Sequence, residues 1–220
     1  VLDDYEINKY LESTLLRADA LSKEIESLCL EAVQCGFRGV CVNPFYLPMA
    51  ASMLQGSSVV LVTVVGFPLG ASGRYVKALE AENAVKNGAG EIDMVINVGA
   101  LKNGHRAVLK GEISAVVELG VPVKVIIETG LLTEVEFLLA CECVVEAGAH
   151  FVKTSTGFGP RGATVEDIRL LRAHLPPQTG IKASGGIKTA AQAKELISAG
   201  ASLIGSSCAE KIYREGMLKL

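Results

Sequence analysis

Seven glycines punctuate the chain, each shortly before or at the start of an apolar or β-branched run: Gly36, Gly56, Gly88, Gly120, Gly148, Gly180 and Gly200. Their spacings are 20, 32, 32, 28, 32 and 20 residues. Repetition on that scale marks stacked supersecondary units and narrows the fold more than any single motif. Three of the places read alike, NGAGEIDMVI, EAGAHFVKTS and SAGASLIGSS: a helix end, a glycine, a strand. Glycine stops a helix because it enters the left-handed conformation at C′ without a Cβ clash.

The runs after these glycines are short and β-rich. They include SSVVLVTVV, EIDMVIN, VPVKVIIET, HFVKTST, GIKAS and ASLIGSS. Near-continuous apolar strands of this kind suit a parallel sheet buried on both faces. KYLEST at 9–14 reads as one more strand ahead of the first helix. Between the strands lie helical patterns. Leu21, Ile25, Leu28 and Ala32 fall on one face, as do Ala193, Leu196 and Ile197. Thr133 to Glu136 and Thr164 to Asp167 read as capping boxes at helix starts.

Eight strand–helix units would average about 27 residues and use the whole chain. The expected fold is therefore an α/β, single-domain (β/α)8 TIM barrel over residues 1–220, with an open doubly wound sheet as the alternative. No linker, low-complexity tract or composition shift suggests a boundary.

Composition limits the functional classes. Half of the residues are apolar, enough for a sizeable core, and the net charge is −3. Lysines and arginines are scattered without a basic block, so nucleic acid is not an expected partner. No apolar run reaches the roughly 18 residues needed to span a membrane. The chain starts at Val1, without an initiator Met, as expected of a trimmed start, and the acidic, polar stretch that follows is unlike a signal peptide. The six cysteines, Cys29, Cys35, Cys41, Cys141, Cys143 and Cys208, include no C-x-x-C pair. They read as reduced, mostly buried thiols of a cytoplasmic protein, with no metal framework.

One stretch matches a nucleotide-binding fingerprint. Gly157-Phe158-Gly159-Pro160-Arg161-Gly162 fits G-x-G-x-x-G. Its context is wrong. Pro160-Arg161 delays the helix to about Thr164, the next strand carries Lys182 and no carboxylate, and the motif sits in the sixth unit. It reads as a flexible loop able to line a site.

Charged residues inside apolar strands are the stronger signal. EIDMVIN carries Asp93, VPVKVIIETG carries Lys124 and Glu128, HFVKTSTG carries Lys153, and GIKASGG carries Lys182. On strand alternation Lys153 shares a face with Phe151, Asp93 with Val95, and Lys124 with Ile126 and Glu128. Such charges are costly unless paired. In a barrel they converge on the carboxyl ends of the strands, where active sites lie. Two lysines on consecutive strands lower each other's affinity for a proton, and a neutral lysine attacks a carbonyl to form a Schiff base. An aspartate can move the protons. The pattern points to a Schiff-base aldolase needing neither metal nor cofactor, with Lys153 and Lys182 equally placed as nucleophile. The loops KASGGIKT and LIGSSCAEK add glycines and serines at the two places where barrels often hold phosphate.

At this point a resemblance carries further. STLL (13–16), GVCVNP (39–44), VTVVGFPLG (62–70), EIDMVIN (91–97), KVIIETG (124–130), FVKTSTGFGPRGA (151–163), KASGGI (182–187) and LIGSS (203–207) resemble the deoxyribose-phosphate aldolase family over essentially the full length. The resemblance implies a class I aldolase on a (β/α)8 barrel that reversibly cleaves 2-deoxy-D-ribose 5-phosphate to acetaldehyde and D-glyceraldehyde 3-phosphate. It implies Lys153 as the Schiff-base lysine, Lys182 as the second lysine that tunes it and assists proton transfer, and Asp93 as the acid/base. Thr14, Cys41 and Thr156 would line the sugar site, and Gly157, Gly185, Gly186, Ser206, Ser207 and Cys208 the phosphate loops. Another Schiff-base sugar-phosphate aldolase and a non-catalytic sugar-phosphate-binding barrel are the alternatives. A homo-oligomer, dimer or tetramer, is the expected assembly.

The chain departs from the family pattern in places. The usual aspartate two before Thr14 is Glu12, and the residue between, often His, is Ser13. Arg17-Ala18 stands where Lys-Pro is common, and Ser207-Cys208 where two serines are. The chain ends Met217-Leu-Lys-Leu220, with Tyr213 the tyrosine nearest a tail that often ends in one. None of these touches Lys153, Lys182 or Asp93.

Overall fold

A computed structural model describes residues 4–217, so the tail beyond Met217 lies outside the described residues. A 3-10 turn, Asp4–Tyr10, leads into β1 (Leu11–Leu15), α1 (Ser22–Cys35), β2 (Gly39–Val42) and α2 (Leu47–Leu54). Then come β3 (Val60–Val65), α3 (Arg74–Lys86), β4 (Glu91–Val95), the short α4 (Val98–Lys102) and α5 (Arg106–Val117). β5 (Val123–Ile126), α6 (Glu134–Glu146), β6 (Phe151–Lys153) and α7 (Val165–His174) follow. β7 (Gly180–Ser184), α8 (Ala190–Ser198), β8 (Leu203–Ser206) and α9 (Ala209–Met217) complete the ring. The strands close in sequence order, β8 pairing with β1, and every pairing is parallel. This is the expected (β/α)8 barrel.

The glycine rhythm has one exception. Six of the seven glycines sit at positive φ, Gly36 at 63° capping α1, but Gly180 does not. Gly180 opens β7, and a Cβ there would lie 2.1 Å from the Phe151 ring. It is glycine for space: the ring fills the inside of the barrel beneath Lys124, whose Nζ stands 5.8 Å from the ring centre.

Two sequence expectations move. Lys9 and Tyr10 belong to the 3-10 turn and not to the first strand, because the turn is pinned by Asn8, which donates to the carbonyls of Cys35 and Gly36. Leu21 precedes α1 instead of joining its core face and is 53% exposed, while Ile25, Leu28 and Ala32 are buried as the pattern required. The capping boxes at Thr133 and Thr164 are both present, and a third stands at Thr189. All six cysteines are free thiols. Among the described residues no helix is long and apolar enough to cross a membrane.

Residues facing out of the barrel, such as Val40, Ile92, Met94, Val125, Val152, Ile181 and Ile204, make the main core against the helices. The inside is divided. Cys41, Val62 and Val64 form a small apolar wall with Leu16. Opposite stand the charges, because the register pairs Asp93 with Lys124, and Lys153 with Lys182, and parallel partners share a face.

A second buried ion pair lies outside the barrel. Lys77 of α3 donates to Glu112 of α5 at 2.7 Å and to the Val95 carbonyl at 2.8 Å. The other Glu112 oxygen accepts the Asn97 N–H at 2.7 Å. The pair thus holds the end of β4, two residues beyond Asp93. Burial pushes the Lys77 ammonium down and the Glu112 carboxyl up, so both charges stand at a cost that only their pairing offsets. Lys77→Met should therefore destabilise the fold by about 3–5 kcal/mol, and adding Glu112→Gln should recover part of the loss by removing the orphaned charge. Urea unfolding of the single and double variants measures both.

Candidate active site

The six inward charges form one network. Asp93 Oδ2 accepts from Lys153 at 2.8 Å and from Lys182 at 2.6 Å, so both ammonium groups meet one oxygen. Lys124 reaches Asp93 Oδ1 at 3.1 Å, Glu12 at 3.4 Å and Glu91 at 2.5 Å. Lys182 also bonds Glu12, and Arg38 closes the far end on Glu91. Three buried lysines thus face three buried carboxylates, which makes their desolvation tolerable.

Asp93, Glu12, Lys124 and Lys182 hold one another ionised. Burial disfavours the Asp93 carboxylate, but Lys124, Lys153 and Lys182 outweigh it and keep its pKa well below the ordinary value. Glu12 is lowered in the same way: burial opposes, and Lys124 and Lys182 win. Burial likewise opposes the Lys182 ammonium, yet Asp93 and Glu12 raise its pKa above the ordinary lysine value. The neighbouring cation expected from sequence is in place, but the mutual lowering is not borne out for Lys182, because the carboxylates it meets outweigh burial and any neighbouring cation. The Cys41 thiol is pushed up to about 11, chiefly by burial, and so stays a neutral wall group.

Above the network opens a cavity of about 510 Å³. Lys153 is on its surface; Lys124 and Lys182 are fully buried and do not line it. Thr14, Thr156, Gly157, Gly185, Gly186, Ser206 and Ser207 also line it. Asp93 and Cys41 lie buried within the barrel, and Cys208 sits half-buried just before α9. The Ser206 hydroxyl is engaged: it donates to the Ile187 carbonyl at 2.6 Å and accepts the Cys208 N–H at 2.9 Å. It ties the loop after β8 to the loop after β7, which leaves Ser207 as the hydroxyl donor there.

Two of the three glycines of the rejected fingerprint have a packing reason, and the third, Gly157, takes a positive φ of 86°. A Cβ on Gly162 would lie 2.0 Å from the Gly185 carbonyl oxygen, and one on Gly159 would lie 2.7 Å from the Glu128 carboxyl. α7 starts at Val165, after the motif. The loops after β6 and β7 are therefore nested by backbone contact, with open space where a Gly186 side chain would be. Arg161 binds Asp167 through both oxygens, at 2.5 and 2.9 Å, and fastens the loop from outside.

Sequence reasoning passed over several groups. Glu12, noted as a departure expected not to touch the catalytic set, bonds Lys182 directly, and it and Glu91 are full members of the network. Both were findable, since Glu12 stands two residues before Thr14 and Glu91 two before Asp93, on the same strand faces. Arg17 and Lys188 bring two cations to the cavity wall. Lys188 lies in the quoted loop KASGGIKT; Arg17 sits at a noted departure. Glu128 does not continue the inward face of β5. The strand ends at Ile126, and Glu128 takes a left-handed φ of 55°.

Comparison with known proteins agrees with this geometry. Residues 12–215 match the profile of the DeoC/LacD family aldolases. A deoxyribose-phosphate aldolase of Coprothermobacter proteolyticus is 51% identical over 212 residues, covering 96% of this chain and 97% of that one. A deoxyribose-phosphate aldolase of Streptococcus pneumoniae is also 51% identical, over 94% of this chain and 96% of its own. Among solved structures, a deoxyribose phosphate aldolase from Aeropyrum pernix, described as a tetramer, superposes with a TM-score of 0.92 at 31% identity, over 99% of this chain and 94% of that one.

Proposed function

This chain belongs to the DeoC/LacD aldolase family, and from that premise we propose that it reversibly cleaves 2-deoxy-D-ribose 5-phosphate to acetaldehyde and D-glyceraldehyde 3-phosphate through a Schiff base on Lys153. One observation carries the choice of nucleophile: of the three barrel lysines, Lys153 is the one that lines the cavity. Lys182 lies beneath it as a held cation and positions charge and protons.

The steps follow from that placement. Lys153 gives a proton to Asp93, 2.8 Å away, and the neutral amine attacks the C1 aldehyde of the open-chain sugar. Asp93 returns that proton to the departing hydroxyl, and loss of water leaves the iminium with Asp93 again a carboxylate. Acetaldehyde takes C1 and C2, so the bond that breaks is C2–C3. A base, Asp93 acting through a water, takes the C3 hydroxyl proton. The C2–C3 electron pair moves into the iminium, which becomes an enamine as glyceraldehyde 3-phosphate departs. Protonation at C2 and addition of water release acetaldehyde and the amine. No metal or cofactor enters this scheme.

The phosphate lies against Gly157, Gly185, Gly186, Ser206 and Ser207, held mainly by backbone N–H groups, with Lys188 supplying charge. Cys208, whose N–H is held by Ser206, and Arg17, paired with Asp19 and Glu24, stand outside this shell. Thr14 and Thr156 face the sugar, while Cys41 is fully buried and does not line the cavity. The enzyme acts as one aldolase domain in the cytoplasm, in deoxyribose catabolism, and assembles as a homo-oligomer. Exposed Tyr75, Val76 and Leu79 along α3 offer an apolar face for a second copy.

Product analysis tests the reading. Incubation with 2-deoxyribose 5-phosphate should release acetaldehyde and glyceraldehyde 3-phosphate in equal amounts, without added metal or nicotinamide. Binding without product would favour a non-catalytic barrel, and turnover only of a different sugar phosphate would favour another aldolase.

A further inference from the structure

Glu128 stands apart from the charge network, and the fold accepts three local costs to keep it. It is the one non-glycine residue at positive φ among the described residues, with φ 55° and ψ 65°. A side chain in that conformation is strained, by of order 1 kcal/mol or more. The carboxylate is buried, and its Oε1 has no hydrogen-bond partner among the described residues. Residue 159 must be glycine to let the next loop pass over it, since a Cβ there would sit 2.7 Å from the carboxyl.

All of this serves one partner. Glu128 Oε2 accepts from the Thr156 backbone N–H at 3.2 Å and from the Thr156 hydroxyl at 2.5 Å. The Thr156 oxygen in turn accepts the Phe158 N–H at 3.0 Å. A hydroxyl has one proton to give and two lone pairs. Here the proton and one lone pair are spent on the protein. A single lone pair remains, on a residue that lines the cavity.

We infer that Glu128 is a positioning residue that fixes the polarity of Thr156, so that Thr156 presents an acceptor, and never a donor, to a hydroxyl of the bound sugar phosphate. Glu128 does not line the cavity and acts only through Thr156. The inference rests on the reading that this cavity binds the sugar phosphate.

The test compares KM and kcat for 2-deoxyribose 5-phosphate in the wild type, Glu128→Leu, Glu128→Gln, Thr156→Val, Thr156→Ser and the double variant Glu128→Leu/Thr156→Val. Leucine fills the space but frees the hydroxyl to turn, so KM should rise about tenfold while kcat changes less. The glutamine amide oxygen can still accept both Thr156 donors, so Glu128→Gln should stay within about threefold of wild type. Thr156→Val should raise KM as Glu128→Leu does, Thr156→Ser should not, and the double variant should be no worse than Thr156→Val alone.

A wild-type KM in Glu128→Leu, or effects that add in the double variant, would overturn the proposal. If Glu128→Leu does not fold, the threonine variants decide. A wild-type KM in Thr156→Val overturns the proposal. A rise that serine reverses, with Glu128→Gln near wild type, upholds it. A wild-type protein that cleaves no deoxyribose phosphate sinks the functional reading first, and this inference with it; an active wild type with an unaltered Glu128→Leu sinks only the inference.

Discussion

Lys153→Met is expected to fold and to lose aldol cleavage by on the order of 10⁴-fold or more, because no other barrel lysine reaches the cavity to form the imine: Lys188, the other lysine on its wall, stands on the loop after β7. The loss should come with a modest stability cost. Lys153 has a single carboxylate partner, Asp93, and Asp93 keeps Lys124 and Lys182 when Lys153 is removed. Lys182→Met makes the contrast. It deprives both Glu12 and Asp93 of a fully buried partner, so stability should fall by about 3–5 kcal/mol along with activity. Steady-state cleavage and denaturant unfolding, measured on both variants, separate the nucleophile from its support. If Lys182→Met cleaved and Lys153→Met did too, the lysine assignment would be wrong.

Asp93→Asn should have the second-largest effect. Asp93 meets all three lysines, and its loss leaves three buried cations facing Glu12 and Glu91. The expected cost at neutral pH is about 3–5 kcal/mol, with activity down by roughly 10²–10⁴-fold as the proton carrier disappears. The pH dependence gives a sharper signature. Folded Asp93 and Glu12 have pKa values below the ordinary carboxylate range. Their contribution is therefore full above about pH 4 and is lost as pH falls through their depressed values. Lys124 and Lys182 are raised, so their contribution is present below the ordinary lysine value and fades only at higher pH. Glu112, pushed up by burial, works the other way and recovers a little stability in acid. The wild type should thus keep its melting temperature between roughly pH 6 and 9 and lose it below about pH 4. Asp93→Asn should start lower and fall less on acidification. A variant whose acid limb matched the wild type would show that Asp93 is not the group that titrates.

Much of this was legible in the chain, for reasons that particular residues explain. The closed barrel followed from helix-stopping glycines at repeating distances and from strands too apolar for a one-sided sheet. Gly180 kept the rhythm for an unrelated reason, room for Phe151, which no local pattern announces. The inward charges were readable as two-residue alternation along each strand. What alternation cannot give is depth. Lys153 and Lys182 are register partners on neighbouring strands with the same facing, so only three-dimensional shape shows that one reaches the cavity and the other does not. The family resemblance had already pointed to Lys153, and the cavity supplies the physical reason. Pairing across the barrel, Glu12 with Lys124 and Lys182, is equally hidden, since those strands are distant in the chain. Lys77 and Glu112 escaped because a charged residue on a helix reads as solvated surface. Glu128 escaped because strand alternation was carried past Ile126, and nothing in its sequence marks a left-handed glutamate.

The most direct test is to trap the intermediate. Borohydride reduction in the presence of acetaldehyde, followed by peptide mass mapping, should place one ethyl adduct on Lys153, in the segment HFVKTSTGFGPR. An adduct on Lys182 or Lys124 instead, or no adduct on protein shown to be folded, would contradict the Schiff-base account.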